Sequence, residues 1–235
     1  MRKIFLMMIL QAFIVAVTLA QFTVSANNRY LLKDGKTFFW MGDTGWELFH
    51  RLTLDEASQY LKRRAEQGFT VIQAVALAEL DGLQTPNANG DKPLNNNDPN
   101  QPNEAYFKHL DNIIDKAADY NVNIGLLPTW GDKFHKESWG AGPEIFNSSN
   151  AKWYGQWIGN RYKNKTNIIW IMDGDRNPQN ALDVAIFSAM AQGIMDTSSC
   201  CFIIISLLGL LQLPCLNSIS VIQIPMPNAC QFLMP

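Results

Sequence analysis

The chain has 235 residues, with 19 Lys and Arg against 21 Asp and Glu, a formal net charge of -2. That near-neutral balance, with no basic stripe along the sequence, excludes an electrostatic footprint for nucleic acid. The length suits one α/β domain or part of a larger one, and seven tryptophans supply either core caps or flat platforms for a ligand such as a sugar.

The N-terminus starts Met1-Arg2-Lys3 and runs on as an apolar stretch from Ile4 to Ala20, then Val24-Ser25-Ala26. A basic start, an apolar middle and a small-residue end describe a secretory signal peptide. Residues 1–26 are therefore expected to be a leader, cut after Ala26 or alternatively after Ala20; an uncleaved anchor is the competing reading. Either way the body of the protein leaves the cytoplasm, for a secreted or periplasmic location.

From residue 27 to Asp196 the composition is that of a globular domain in which strands and helices alternate. Phe38 to Gly42 reads as a short strand ending at Asp43. Thr53-Leu-Asp-Glu56 is a capping box that opens a helix to about Gln67, with Gly68 as its stop. Phe69 to Ala78 is an apolar strand, followed by a loop from Glu79 to Asn103 rich in Asn, Pro and Gly. Phe107, Leu110, Ile113, Ile114 and Ala117 set a helical period over Glu104 to Tyr120. Val122 to Pro128 is the third strand, ending at Trp130. A helix from about Asn150 to Tyr162, a strand Ile168 to Met172 and a helix Ala181 to Met195 complete the pattern. Four consecutive strand–helix units with apolar strands imply a parallel sheet. Long loops after strands two and three, against short helix-to-strand connections, point to a barrel whose working face lies at the strand carboxyl ends. Four units are half of such a barrel.

Every Lys, Arg, Asp and Glu lies at or before Asp196. The uncharged stretch 197–235 holds all four cysteines and an apolar run from Cys200 to Leu213, shorter than the roughly 18–20 residues that span a bilayer. A weak membrane anchor, a buried terminal segment and sequence foreign to the domain compete here, and the last is favoured. The reading is an α/β barrel truncated after about four units, with an apolar tail outside it.

Chemistry concentrates at the expected strand ends: Asp43 with Thr44 and Trp46, Glu79 and Asp81, Trp130 with Asp132, then Asp173, Asp175 and Arg176. In a barrel these converge on one mouth, where one carboxyl can protonate a glycosidic oxygen and a second can attack the anomeric carbon or activate water. Asp175 could equally be a loop carboxylate held by Arg176 or a helix N-terminus. Asp173-Gly-Asp175 has the look of a metal pair, but no histidine stands near it in sequence, so neither metal nor cofactor is expected. His109, beside Lys108 in a helix, reads as a surface residue; His135 lies in the loop after strand three, within possible reach of a ligand. Phosphate-loop and Gly-x-Ser-x-Gly patterns are missing, so nucleotide and serine-esterase chemistry have no support.

Three segments, Phe39-Trp-Met-Gly-Asp-Thr-Gly-Trp46, Leu126-Leu-Pro-Thr-Trp-Gly131 and Asn167-Ile-Ile-Trp-Ile-Met-Asp-Gly-Asp-Arg-Asn-Pro178, together resemble the apiosidase-like glycoside hydrolases over roughly residues 28–194. The resemblance implies a (β/α)8 TIM-type barrel, exported by a bacterium that degrades plant cell wall. The activity implied is retaining hydrolysis, with apiose on pectic side chains as the target and cell-wall carbohydrate as the partner. It makes Asp175 the acid/base and places Asp43, Trp46 and Trp130 in the sugar site; Arg176 and Asp173 stand beside Asp175 as further substrate-binding candidates. Two departures matter. Asp173-Gly-Asp175 replaces a Gly-Gly-Asp pattern, and the extra charge tends to raise a neighbouring carboxyl. The nucleophile implied is a glutamate on a later strand, and no Glu follows Glu144. The expectation is a glycosidase fragment without turnover. Its alternatives are a non-catalytic carbohydrate-binding half-barrel and a membrane-tethered half-barrel that needs a partner.

Overall fold

The computed structural model describes residues 22–27, 29–138, 140–172, 178–197 and 202–204. Three short strands come first, β1 (Phe22–Val24), β2 (Leu31–Lys33) and β3 (Lys36–Phe38), paired antiparallel in that order. A second sheet follows: β4 (Gly42–Thr44), β5 (Val71–Val75), β6 (Asn123–Leu127), β7 (Ile168–Met172) and β8 (Phe202–Ile204). These five pair parallel, in chain order. Between them run α1 (Leu48–Arg51), α2 (Leu54–Glu66), α3 (Glu104–Asp119), α4 (Ser148–Tyr162) and α5 (Ala181–Met195).

Side chains alternate across the strands, and the two faces meet different partners. Ile72, Ala74, Ile124, Leu126, Ile168 and Trp170 join one core with residues from all five helices. The alternate residues Val71, Val75, Leu127, Ile169 and Ile171 form a smaller cluster with Phe22 and Leu31 of the antiparallel sheet. Helices on one face only, with strands in unbroken sequential order, describe a barrel wall; a doubly wound sheet carries helices on both faces and reverses its order. The antiparallel sheet packs on the concave face at the amino ends of the strands. Lys33 Nζ donates to Asn123 Oδ1 at 2.8 Å, tying it to the first residue of β6.

The helices begin where their caps place them. Thr53 and Glu56 make the reciprocal capping box of α2, and Gly68, at φ +87°, permits the stop. Asn103, Asn147 and Asn180 cap α3, α4 and α5 through their side-chain oxygens. α4 and α5 approach until backbones touch. A Cβ on Gly155 would lie 2.2 Å from the Met190 carbonyl oxygen, and one on Gly193 would lie 2.2 Å from that of Lys152.

Several expectations are corrected. The first barrel strand is not Phe38 to Gly42 but β4, Gly42–Thr44: Phe38 ends β3, and Phe39 after it is 74% exposed. The antiparallel sheet went unforeseen, and β1 occupies residues expected to belong to the leader. Cleavage after Ala26 would remove it, whereas cleavage after Ala20 keeps it; residues 1–21 lie outside the described set. β8 lies within the stretch assigned to the tail and extends the sheet, Trp170 pairing with Phe202. Residues 205–235 are outside the described set.

Candidate functional site

The carboxyl ends of β4, β5 and β6 gather the residues that sequence placed at a common mouth. Pairing persists past the strands there: Val75 N–H donates to the Trp46 carbonyl, Ala76 N–H to that of Leu127, and Trp130 N–H to that of Leu77. Trp46 and Trp130 are thereby brought together, ring centroids 5.2 Å apart and tilted by 56°. The pair is not two open platforms. Trp130 is buried, at 2% exposure, so only the half-buried Trp46 offers ring surface to a ligand.

Beside Trp46 lies a cleft of about 410 Å³, lined among others by Asp43, Glu47, Arg51, Arg64 and Glu79. Its volume suits a small ligand. Asp43 enters it differently from expectation. Its register partner is Ile72, a residue of the helix-facing core, so the carboxylate turns toward α2. There Tyr60 Oη–H donates to Oδ2 at 2.7 Å, and the Arg64 guanidinium pairs with the same oxygen. Burial, then the bond to Asp43, pushes the Tyr60 phenol up to about 12, so it remains a donor. Asp43 thus lines the same cleft as Trp46, from the helix side and already occupied by two donors.

Glu47, absent from the sequence reading, sits at the centre of the charge cluster. Its Oε2 accepts from Arg51 Nε at 3.0 Å and meets His50 Nδ1 at 3.1 Å. The bond to Glu47 holds the His50 imidazole above its ordinary value. The signal that could have found it is the i, i+3, i+4 spacing of Glu47, His50 and Arg51, which puts all three on one side of a helical turn. His109 is also corrected: it is buried, its Nε2 donating to the Leu52 carbonyl at 3.0 Å. Asp132, fully buried, accepts at Oδ2 from Lys133 Nζ at 2.9 Å and from the amides of Ala141 and Gly142. Lys133 Nζ also donates to the Leu80 carbonyl at 2.7 Å. Burial pushes the Lys133 ammonium down against the pull of Asp132. This pair braces the loops after β5 and β6 and leaves no carboxylate for a ligand. His135 is taken by Asp183, Nδ1 to Oδ2 2.8 Å, and the same oxygen accepts from the Gln179 amide.

Asp173, Asp175 and Arg176 lie outside the described residues. β7 is described to Met172, the residue before Asp173, and its strand is in register with β6. Among the described residues no group of His, Cys, Asp and Glu could hold a metal ion, and no helix is long and apolar enough to cross a membrane.

The profile of the apiosidase-like catalytic domain matches residues 25–207. A solved glycoside hydrolase is 29% identical with a TM-score of 0.66, the match covering 79% of this chain and 40% of that one. A glycoside hydrolase family 5 protein from Bacteroides vulgatus is 27% identical with a TM-score of 0.67, covering 78% and 39%. A further glycoside hydrolase from the same species, at 16% identity and a TM-score of 0.61, shares the fold alone. The chain thus spans about 40% of the length of these structures. No curated protein matches it.

Proposed function

The chain belongs to the apiosidase-like catalytic-domain family, and from that premise we propose that it forms the first strand–helix units of a (β/α)8 glycoside hydrolase barrel that binds plant cell-wall pectic oligosaccharide. The observation that carries this reading is the barrel wall itself: a parallel sheet with helices on one face, whose β7 is described up to Met172, the residue before Asp173 in sequence. Asp175 is the proton donor in this reading, with Asp173 and Arg176 beside it, Trp46 the stacking ring, and the cleft next to Trp46 the sugar site. Trp130 backs Trp46, and Asp43 acts through its bonds to Tyr60 and Arg64. Retaining hydrolysis requires a second carboxylate about 5–5.5 Å from the donor. No glutamate follows Glu144 in these 235 residues, so this polypeptide by itself binds without turnover. Export to the periplasm or medium of a bacterium completes the proposal, with leader removal after Ala20 so that β1 is retained.

Titration calorimetry of the chain with apiose-bearing pectic oligosaccharide, with sugar release followed in parallel, tests it. Saturable binding without release is expected, weakened about fivefold or more by Trp46→Ala, the loss of one stacking surface being worth at least about 1 kcal/mol. Release of sugar would overturn the lack of turnover, and failure to bind any cell-wall oligosaccharide would overturn the reading as a whole.

A further inference from the structure

Two buried histidines clasp the same long loop, and their partners demand opposite protonation states. His50, on α1, sets Nδ1 3.1 Å from Glu47 Oε2 and Nε2 2.9 Å from the Thr85 carbonyl oxygen. Arg51 Nε donates to that same glutamate oxygen, which is therefore an acceptor, as is any carbonyl. Both ring nitrogens must donate, and only the imidazolium carries two N–H groups. His109, on α3, sets Nε2 3.0 Å from the Leu52 carbonyl oxygen and Nδ1 3.0 Å from the Asn89 side-chain nitrogen. Here one partner accepts and the other donates. The neutral ring with its proton on Nε2 satisfies both, while a second proton would set N–H against N–H.

Thr85 and Asn89 belong to the loop between β5 and α3, whose Glu79 borders the cleft. The loop's own backbone joins the clasp, Ala88 N–H donating to the His50 carbonyl at 2.9 Å. We propose that His50 and His109 are positioning residues that hold this loop at the cleft only while the first is an imidazolium and the second is neutral, which confines the hold to a window of pH. The cleft's use for sugar rests on the function proposed above; the clasp stands on its own geometry.

The surroundings shift the two rings in opposite directions, burial outweighing the upward pull of Asp91 on His109. Glu47 and Arg51 face His50 from α1, and Asp81 faces it from the loop; the hydrogen bond to Glu47 raises it above the ordinary 6.5. Asp91 faces His109 from the loop, and burial lowers that ring below 6.5. A raised histidine gives a hold that is complete below 6.5 and is lost as pH climbs through its own higher value. A lowered one gives a hold that is complete above 6.5 and is lost as pH falls through its own lower value. The two ranges meet near pH 6.5.

Ring-nitrogen NMR on the unmodified chain reads the two states directly, and hydrogen exchange at Ala88, divided by the intrinsic rate, reads the hold. Near pH 6.5 His50 should show two protonated nitrogens and His109 one, with Ala88 exchange at a minimum and several-fold faster toward either end. His50→Gln should flatten the alkaline rise and His109→Gln the acid rise. Rings that titrate together at the ordinary value, or exchange without a minimum, would overturn the proposal. No sugar enters either readout, so failure here and failure to bind carbohydrate are separate results.

Discussion

The wall of this molecule and its rim are held by different forces. In the wall, strands and helices settle their backbone groups within their own ladders, and the contact between layers is apolar: Ile72, Leu126 and Trp170 meet Leu61, Ile114 and Ile158 in one dry core. The rim has only fragments of a ladder. Its loops carry carbonyls that burial deprives of water, and each needs a donor from elsewhere. Side chains supply them: Tyr106 to Ala76, Lys133 to Leu80, His50 to Thr85, His109 to Leu52 and Tyr154 to Pro128. The working end of the fold is shaped by long-range polar clasps, and its stability should therefore be the more sensitive to single polar atoms.

The sharpest way to break that contrast is at Lys133. Lys133→Met keeps the stem but leaves Asp132 buried without its cation and Leu80 without its donor. A loss of about 3–5 kcal/mol is expected from urea unfolding, and an unchanged midpoint would show that the rim does not depend on this clasp. In the wall, Gly193→Ala puts a methyl group into the α4 backbone, where no flexible side chain can yield. Overpacking there should cost about 3 kcal/mol in the same measurement, with native secondary structure retained. The mildest cut is Tyr106→Phe, which removes one hydroxyl and strands the Ala76 carbonyl. It should cost about 1–2 kcal/mol, and exchange should rise at the loop amides before those of β5.

The wall was largely legible in the sequence. The Thr53–Glu56 box, the bounds of β7 and α5, and the apolar period of α3 come from local chemistry, and the fold has them where that chemistry puts them. The antiparallel sheet escaped because its strands are three residues long and the first lies in a stretch with the composition of a leader. One signal was there: Asp34-Gly35 between β2 and β3, both at positive φ, is a hairpin turn signature. The rim was legible only as a set of letters near strand ends. That His109 turns inward to Leu52, or that Asp43 turns to α2, depends on partners 57 and 17 residues away, and no local pattern encodes such a choice. The uncharged stretch after Asp196, taken as foreign to the domain, contains a segment, Phe202–Ile204, that pairs with β7.

The indole pair at the mouth gives the molecule an optical signature of its own. Two fixed chromophores with centroids 5.2 Å apart and rings inclined by 56° couple their transitions, and a rigid chiral pair of this kind produces a paired band in near-ultraviolet circular dichroism. Trp130 is buried and Trp46 half-buried, so any occupant that shifts the outer ring changes the coupling. Occupancy of the cleft can then be followed spectroscopically, in unlabelled protein.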